Sequence, residues 1–267
     1  MPRKRQFARQ GMALAAHGLA SQETQPMPVV TQQSTMDTLL QADLPLAERA
    51  YRHIRLAILR CEFAPEQRLR VETLSKQFEI SSSPVREALS RLSEQGFVRS
   101  IDNKGFRVAP LTIDGIADLT RVRLLIECEA LRDSISHGDD AWEARIVSAA
   151  HSLARIEQRL GDQAVILDDE WSQRHRDFHK ATYANCASPL LDAMVMELFD
   201  RADRYRRYSA RYRQVQRRKH SEHQVLMKSI LERNVDNSIA LLREHIQATE
   251  RNVTQALQNM QAGRPAH

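Results

Sequence analysis

The fold is decided by residues 81–98, which read Ser81-Ser82-Ser83-Pro84-Val85-Arg86-Glu87-Ala88-Leu89-Ser90-Arg91-Leu92-Ser93-Glu94-Gln95-Gly96-Phe97-Val98. Pro84 suits the first position of a helix, because its φ is fixed and it has no N–H to satisfy, and Ser83 can cap the amides that follow. Gly96 readily takes the left-handed conformation that ends a helix. One face between them is apolar at helical spacing, formed by Val85, Ala88, Leu89 and Leu92. The stretch therefore predicts a short amphipathic helix that starts at Pro84.

A β-hairpin is predicted directly after this helix. Residues 97–101 alternate and favour a strand, Asp102-Asn103-Lys104-Gly105 is a strong turn signal, and Phe106-Arg107-Val108 supplies the second strand. Helical periodicity over Leu46 to Phe63 and Val71 to Phe78 predicts two more helices before it. Three helices and a basic hairpin together predict a winged helix-turn-helix, a fold that presents one helix to DNA.

The string Ser83-Pro84-Val85-Arg86-Glu87-Ala88-Leu89 resembles the reading helix of the GntR family of bacterial transcription regulators. Residues 63–69, Phe-Ala-Pro-Glu-Gln-Arg-Leu, resemble that family's link between helices one and two, and the resemblance spans about Leu46 to Pro110. Ser82 stands where many members have arginine, and Glu66 where a glycine is common. The DNA contacts that the resemblance implies are Ser82, Ser83, Arg86, Arg91, Lys104 and Gly105.

Arg86 is the candidate for base recognition. Its guanidinium can meet O6 and N7 of a guanine together, which is worth about 1 to 3 kcal/mol of discrimination. Serine hydroxyls and turn amides fit phosphate better than bases. Because Ser82 replaces a common arginine, we expect Arg86 to carry more of the recognition.

Composition bounds the class of protein. The 267 residues suggest two domains, and the net charge of +5 falls mostly on residues 46–110, which carry twelve basic and eight acidic side chains. Three isolated cysteines and no apolar run of membrane-spanning length predict a cytoplasmic protein with no membrane partner. Residues 1–43 are predicted to be a disordered or flexible extension, in which Arg3, Lys4 and Arg5 could add phosphate contacts.

The chain after Pro110 has helical periodicity and no credible strand. It predicts an all-α domain over residues 111–262, after a DNA-binding domain over 44–110, so that the fold class is mainly α. The predicted helices cover residues 113–136, 140–160, 164–185, 188–208, 211–233 and 236–260.

Four histidines of this domain can converge. His175 and His179 are four residues apart and project from one face of a helix. His223 and His245 lie on the last two helices, at a separation that places them at similar height if a short turn joins the helices in antiparallel fashion. Four imidazoles so arranged could hold one metal ion. The alternative for each histidine singly is an ordinary surface or capped residue.

The pairs Phe178-His179, Glu222-His223 and Glu244-His245 resemble the FCD domain, the effector domain of the FadR subclass of GntR regulators, and six helices favour its VanR-like group. The resemblance implies a divalent ion with positions open for a carboxylate effector. His175 stands where many members have aspartate. The loss of that charge favours Zn²⁺, with Ni²⁺ second.

Arg123 and Glu127 occupy the positions of an arginine and a glutamate common in the subclass. Arg123 could bind an effector carboxylate while Glu127 orients it. A structural pair at i and i+4 is an equal alternative. The basic run from Arg201 to Lys219, interleaved with three tyrosines, is interpreted as a solvated helix face with one or two arginines turned into the effector pocket, rather than as a nucleic-acid surface.

Together these features predict a homodimeric transcription regulator, a repressor, that binds double-stranded operator DNA and is controlled by a small organic acid. The alternative is a metal-dependent hydrolase built on the histidine cluster. Such enzymes have a glutamate directly after the first histidine, whereas Arg176 follows His175 here. The sequence therefore predicts that the protein is not an enzyme.

Overall fold

A computed structural model describes residues 44–102, 104–160, 169–210 and 219–262. The predicted flexible extension, residues 1–43 with Arg3, Lys4 and Arg5, lies outside the described residues. The elements follow one another as α1 (Leu46–Leu59), β1 (Arg68–Leu69), α2 (Val71–Phe78), α3 (Ser82–Glu94), β2 (Val98–Ile101), β3 (Gly105–Val108), α4 (Ile113–His137), α5 (Asp140–Leu160), α6 (Asp169–Tyr183), α7 (Pro189–Ala210), α8 (Lys219–Leu231) and α9 (Val235–Gln261). We call residues 44–110 the head and the described part of residues 111–262 the bundle.

The head is a winged helix-turn-helix, as the sequence predicts. Its three strands form one antiparallel sheet in the order β1-β3-β2, with Arg68 opposite Arg107 and Val98 opposite Val108. The two-residue strand β1 was not predicted, because it is too short to show alternation. The predicted apolar face of α3 is fully buried against α1 and the sheet, at Val85, Ala88, Leu89 and Leu92.

Helix α3 begins two residues earlier than predicted. Ser82 is its first residue and Ser81 its N-cap, whose side chain makes no capping hydrogen bond, so Pro84 is the third helical residue rather than the first. A proline is tolerated there because the N–H groups of the first turn have no partner within the helix. The predicted stop is present: Gly96 has φ +74°, and the amide of Phe97 donates to Leu92 O at 2.9 Å.

Helix α1 ends at Leu59, four residues before the predicted end at Phe63. Cys61 takes a left-handed φ of +56°, and the amides of Cys61 and Glu62 donate back to Ile58 O and Ala57 O. This is a Schellman turn, which satisfies the last helical carbonyls. A cysteine in the position that usually favours glycine gives no signal of this turn in the sequence.

The bundle contains six helices in the described residues, which confirms the predicted all-α architecture. The predicted starts of α6 at residue 164 and α8 at residue 211 lie outside the described residues, which resume at Asp169 and Lys219. The core between the helices is aromatic and aliphatic, with Trp142, Trp171, Phe178 and Phe199 all buried. No helix in the described ranges is long and apolar enough to cross a membrane.

The head and the bundle meet along α1, α4 and α7. Thr112 caps α4 by accepting a hydrogen bond from the Gly115 amide at 3.0 Å, and the Tyr205 hydroxyl lies 3.4 Å from the Thr112 amide. A Cβ on Gly115 would lie 2.4 Å from the Tyr205 hydroxyl, so glycine is required for α7 to approach the start of α4. The Arg204 guanidinium, which is buried, donates to the carbonyl of Ala109 at the end of the head.

Candidate DNA-contacting surface and metal centre

The outer face of α3 carries polar side chains at the start of the helix. Ser82, Ser83 and Arg86 are all exposed, and the Ser82 hydroxyl lies 3.4 Å from the Ser75 hydroxyl of α2. The backbone N–H groups in the first turn of α3 have no acceptor within the helix, and such groups favour the binding of a phosphate. The surface therefore combines one arginine, which can bind a base with two parallel hydrogen bonds, with several groups that can donate hydrogen bonds to phosphate.

Arg91, another of the six candidate contacts, is engaged within the head. Its guanidinium donates to Glu48 of α1 at 3.0 Å and lies over the Tyr51 ring at 4.2 Å. Both contacts fasten the end of α3 to α1. The structure thus gives Arg91 a packing role that the sequence did not predict, and its role as a DNA contact stays a prediction.

The wing between β2 and β3 is basic and exposed. Lys104 lies at its tip, and its amide closes the turn by donating to Ile101 O at 2.9 Å. Gly105 has φ +81°, so the turn needs a residue without a Cβ at this point. Arg99 and Arg107 extend the positive charge along the strands. This arrangement can follow a phosphate backbone.

The four histidines converge in the core of the bundle. His175 and His179 come from α6, His223 from α8 and His245 from α9, and each offers a ligand atom within 4.8 Å of the others. Ring centroids are 4.6 Å apart for His175 and His179 and 5.0 Å apart for His223 and His245. All four side chains are buried. We call these four residues the histidine cluster.

Burial keeps the first two rings of the cluster neutral. It lowers the pKa of His175 and of His179 well below the usual value, and repulsion by a proton on a neighbouring histidine and by the charge of Arg206 lowers both further. A neutral imidazole has a lone pair on one ring nitrogen, and that form is the one that binds metals. Both histidines are therefore ready ligands at neutral pH.

Two histidines of the cluster have ring nitrogens that are free to bind an ion. His179 is 0% exposed, and neither of its ring nitrogens has a hydrogen-bond partner among the described residues. Nδ1 of His175 is buried without a partner in the same way. An unsatisfied buried polar atom costs about 1 to 3 kcal/mol. A divalent ion bound by four imidazoles would remove that cost, so the residues present fit such an ion.

Arg123 and Glu127 form a buried bidentate pair. Nε of Arg123 lies 2.5 Å from one carboxylate oxygen of Glu127 and Nη2 lies 3.2 Å from the other. The Tyr183 hydroxyl also donates to Glu127, at 2.9 Å, and burial together with this carboxylate raises the pKa of Tyr183. The structural pair, which the sequence left as an equal alternative, is what the structure contains. The effector role of both residues stays a prediction.

Arg206 is a buried cation beside the cluster that the sequence did not single out by number. Its guanidinium lies over the Phe199 ring at 4.4 Å, and that ring lies 5.4 Å from both His175 and His179. Burial lowers the pKa of Arg206 to about 10, so it stays charged at neutral pH. Its partner Asp203 is shared with Arg207, and Nε of Arg206 is buried with no partner among the described residues.

The basic run that contains Arg206 is only partly described. Arg201 to Ala210 complete α7, whereas residues 211–218, with Tyr212, lie outside the described residues. The interpretation of the run as a solvated helix face is wrong for residues 201–210, all of which are buried or half-buried. Arg204 and Arg206 are both buried, but Arg204 turns toward Ala109 of the head and only Arg206 lies beside the histidine cluster. The sequence does not show which arginines of α7 are buried, because they occur on several faces of the helix.

Ion pairs connect the cluster helix α6 to the head. Asp200 of α7 accepts from Arg176, which follows His175 in the chain, at 2.9 Å, and also from Arg55 of α1. Asp169 at the start of α6 likewise accepts from Arg60 at the end of α1, at 2.8 Å. Asp200 is almost fully buried. A carboxylate on α7 therefore joins the helix that carries two cluster histidines to the first helix of the head.

Comparison with known proteins gives the chain its family. Residues 46–108 match the model of the bacterial regulatory proteins of the gntR family, and residues 118–248 match the FCD domain. The chain is 37% identical to the uncharacterized HTH-type transcriptional regulator BphR of Paraburkholderia xenovorans, over 76% of this chain and 83% of that protein. It is 33% identical to the HTH-type transcriptional repressor GlaR of Escherichia coli, over 73% of this chain and 90% of that protein.

Solved structures are similar to this chain in fold. A GntR family member from Pseudomonas syringae is 28% identical, with a TM-score of 0.50 over 87% of this chain and 98% of that chain. The Escherichia coli McbR/YncC structure shares the fold at 19% identity, with a TM-score of 0.66 over 81% of this chain and 99% of that one. BphR and GlaR are named as transcriptional regulators, which gives no support to the hydrolase alternative. The chain belongs to the GntR family of bacterial transcriptional regulators, with a winged helix-turn-helix followed by an FCD domain.

Proposed function

We propose that this regulator is a homodimeric repressor whose affinity for operator DNA is set by a small carboxylate bound beside a divalent ion in the histidine cluster. The cluster carries the proposal. It brings four buried imidazoles within 4.8 Å of one another, and two of them have ring nitrogens without hydrogen-bond partners among the described residues. An all-imidazole donor set favours Zn²⁺ first and Ni²⁺ second.

Arg206 supports an anionic effector. Among the described residues the buried guanidinium of Arg206 pairs with one carboxylate, Asp203, which also pairs with Arg207, so Arg206 can still donate to an anion. An effector carboxylate at this point would accept from the unpartnered Nε of Arg206. The ion, when bound, would supply a second positive centre for carboxylate oxygens. Arg123 is the weaker candidate for this contact, because Glu127 already takes its bidentate face.

The ion pairs through Asp200 support transmission to the head. Effector binding near His175 and His179 acts on α6, whose Arg176 is held by Asp200. Because the same carboxylate holds Arg55 of α1, a shift of α6 changes how α1 sits on the bundle. A two-state change of this kind alters operator affinity if the effector binds one arrangement better than the other.

An exposed apolar face supports the homodimer. Leu125 of α4 is 68% exposed, and Leu190 and Met194 of α7 are 72% and 39% exposed. Val122 is one turn from Leu125 and Leu198 one turn from Met194, and both line one crevice. A single reading helix covers few base pairs, and a second copy docked on this face would supply the second head.

Metal analysis tests the ion. Protein purified without a nickel column is expected to contain close to one ion per chain. The double variant His179→Ala/His223→Ala removes two ligands and should lose the ion. The control His137→Ala/His151→Ala changes two exposed histidines outside the cluster and should keep it. A cluster variant that retains the ion would contradict the proposed site.

A ligand screen tests the effector. Small dicarboxylates and hydroxycarboxylates are added to the metal-loaded protein and to the protein treated with chelator, and the unfolding midpoint is measured. An effector raises the midpoint because it binds only the folded state. We expect the rise only in the metal-loaded protein, and we expect Arg206→Met to lose it while keeping the ion. Arg251→Met, an exposed ion-pair arginine of α9, is the control. A full response in Arg206→Met would contradict the assignment.

A further inference from the structure

Two carboxylates lie against the histidine cluster from outside it. Glu157 of α5 places Oε1 3.5 Å from Nδ1 of His223. Glu222 of α8 places Oε2 3.2 Å from Nδ1 of His245 on α9. Each contact joins two different helices, so neither follows from helical spacing along the chain. Glu157 is 9% exposed in its side chain and Glu222 36%.

These contacts select one tautomer of each ring. An ionised carboxylate can only accept a hydrogen bond, so Nδ1 of His245, at 3.2 Å from Glu222, must carry the proton. Glu157 lies 3.5 Å from Nδ1 of His223, and its negative charge favours the same tautomer there electrostatically. His223 and His245 are then protonated on Nδ1, and the lone pair of each lies on Nε2. In metal sites a carboxylate in this position fixes the ring orientation and raises the basicity of the ligand nitrogen.

We infer that Glu157 and Glu222 are positioning residues of the metal site, which present Nε2 of His223 and His245 to the ion and return negative charge to it. The inference rests on the metal site of the proposed function. It goes further, because it assigns roles to two residues that do not themselves bind the ion. The other two rings are oriented by packing: His175 stacks on Trp171 with ring centroids 4.6 Å apart.

The charge balance gives these carboxylates a second effect. Four neutral imidazoles supply no negative charge, and the buried guanidinium of Arg206 lies over the Phe199 ring, whose centroid is 5.4 Å from the rings of both α6 histidines. A divalent ion would thus enter a positive environment. Glu157 and Glu222 offset that repulsion from the far side of the α8 and α9 rings. The negative charge near the ion would then come from carboxylates beside the ligand rings rather than from a ligand itself.

The sequence supplies a matched control. Glu222-His223 and Glu244-His245 are the same dipeptide, and both histidines belong to the cluster. Glu244 nevertheless is exposed and pairs with Arg251 on the surface of α9. Glu244→Gln therefore makes the same chemical change next to a cluster histidine without touching its ring.

Zinc affinity tests the inference. The dissociation constants of Glu157→Gln, Glu222→Gln and Glu244→Gln are measured at one pH by competition with a chelator of known affinity. We expect the first two variants to bind Zn²⁺ about ten- to a hundredfold more weakly than the wild type, and Glu244→Gln to be unchanged. Circular dichroism and the unfolding midpoint of each metal-free variant check that the fold is intact.

A spectroscopic readout separates positioning from a general structural effect. In the Zn²⁺-loaded wild type, ¹⁵N chemical shifts of labelled histidines are expected to show metal on Nε2 and a proton on Nδ1 for His223 and His245. Zinc affinities in Glu157→Gln and Glu222→Gln equal to that of Glu244→Gln, or ligation through Nδ1, would overturn the inference. A wild-type protein that binds no Zn²⁺ would instead overturn the proposed function.

Discussion

Arg86 is the exposed arginine of the reading helix, and its fork is what we expect to read a base. Arg86→Lys keeps the positive charge but loses the two parallel donors. We therefore expect the preference for one guanine of the operator to fall by about 1 to 3 kcal/mol, whereas attraction to phosphate stays. The measurement compares the dissociation constants of a selected duplex and of its single-base variants.

Arg91 is the comparison for that experiment, since it lies on the same helix but is held by Glu48 and Tyr51. Arg91→Lys is expected to lower the free energy of unfolding and to leave base preference unchanged. If Arg86→Lys preserved the preference and Arg91→Lys removed it, the assignment of the reading residue would be reversed.

Glu66 occupies a backbone conformation that suits glycine. Its φ is +65°, and its amide donates to Val108 O at 3.0 Å, which fixes the link between α1 and β1 on the sheet. The left-handed region costs a residue with a Cβ about 1 to 2 kcal/mol. The position where the family commonly has glycine is thus one where the fold requires a positive φ, and this chain carries strain there.

Replacing Glu66 should therefore stabilise the protein, if the new residue is glycine. Glu66→Gly relieves the strain but adds freedom to the unfolded chain, so we expect a net gain of roughly 0.5 to 1 kcal/mol in the free energy of unfolding. Urea denaturation measures it. Glu66→Ala removes the same carboxylate and keeps the strained backbone. An equal gain in both variants would show that the side chain, rather than the backbone, was the cause.

Helices α1, α6 and α7 are joined by the carboxylate of Asp200, which accepts from two arginines and is almost fully buried. Asp200→Asn keeps the shape but leaves both guanidinium groups without their counter-charge. We expect a loss of about 1 to 3 kcal/mol in the free energy of unfolding, because charge-assisted hydrogen bonds to a buried group are lost while both guanidinium groups keep part of their hydration. Calorimetry measures it, and a separate, earlier transition of the head would show that the two parts had been uncoupled.

The same helix contains the control for that prediction. Glu197, one turn before Asp200, forms an exposed ion pair with Arg201 at 2.6 Å. Pairs of this kind contribute about 0 to 1 kcal/mol, so Glu197→Gln should change little. A loss in Asp200→Asn no larger than that in Glu197→Gln would contradict the bridging role.

The sequence predicted well the elements in which apolar residues recur at helical spacing over many residues. The buried face of α3 and the six bundle helices follow directly from such spacing. The errors fall where the backbone departs from an average preference. Cys61 takes a left-handed turn usually marked by glycine, and strand β1 exists only because β3 offers it two residues of pairing.

The residues of the metal site also differ in whether the sequence could predict them. Convergence of the four histidines could be predicted, because i and i+4 spacing and an antiparallel helix pair determine where the side chains lie. Glu157 and Arg206 could not be predicted individually, since each approaches the cluster across a helix interface whose rotation the sequence does not specify. Burial separates Arg204 and Arg206 from the other arginines of α7, and only their contacts separate these two, since Arg204 donates to Ala109 and Arg206 lies over Phe199.

In the proposed function, operator binding requires a second copy of the chain. Substitutions on the exposed face around Leu125 test this requirement. Leu125→Glu/Met194→Glu places two charges on the exposed apolar face of α4 and α7. We expect a monomer by light scattering, with the ion retained and with much weaker binding to an operator whose half-sites lie about 34 Å apart. Charge in a dimer core opposes association because it must be desolvated.

Val147 of α5 is the control, because it is 45% exposed and lies on another surface of the bundle. Val147→Glu should leave the dimer intact. A dimer in the double variant at Leu125 and Met194 would move the interface elsewhere.

Trp171 gives the metal centre an optical signal of its own. The chain has two tryptophans, and the indole of Trp171 stacks on His175 while that of Trp142 packs beside Arg233. Trp142→Phe leaves a single emitter in contact with a cluster ring. Paramagnetic Ni²⁺ should quench its fluorescence, whereas Zn²⁺, with a filled d shell, should only shift the emission. Equal emission with and without Ni²⁺ would place the ion away from His175, and a quenched signal would follow occupancy of the site in real time without any added dye.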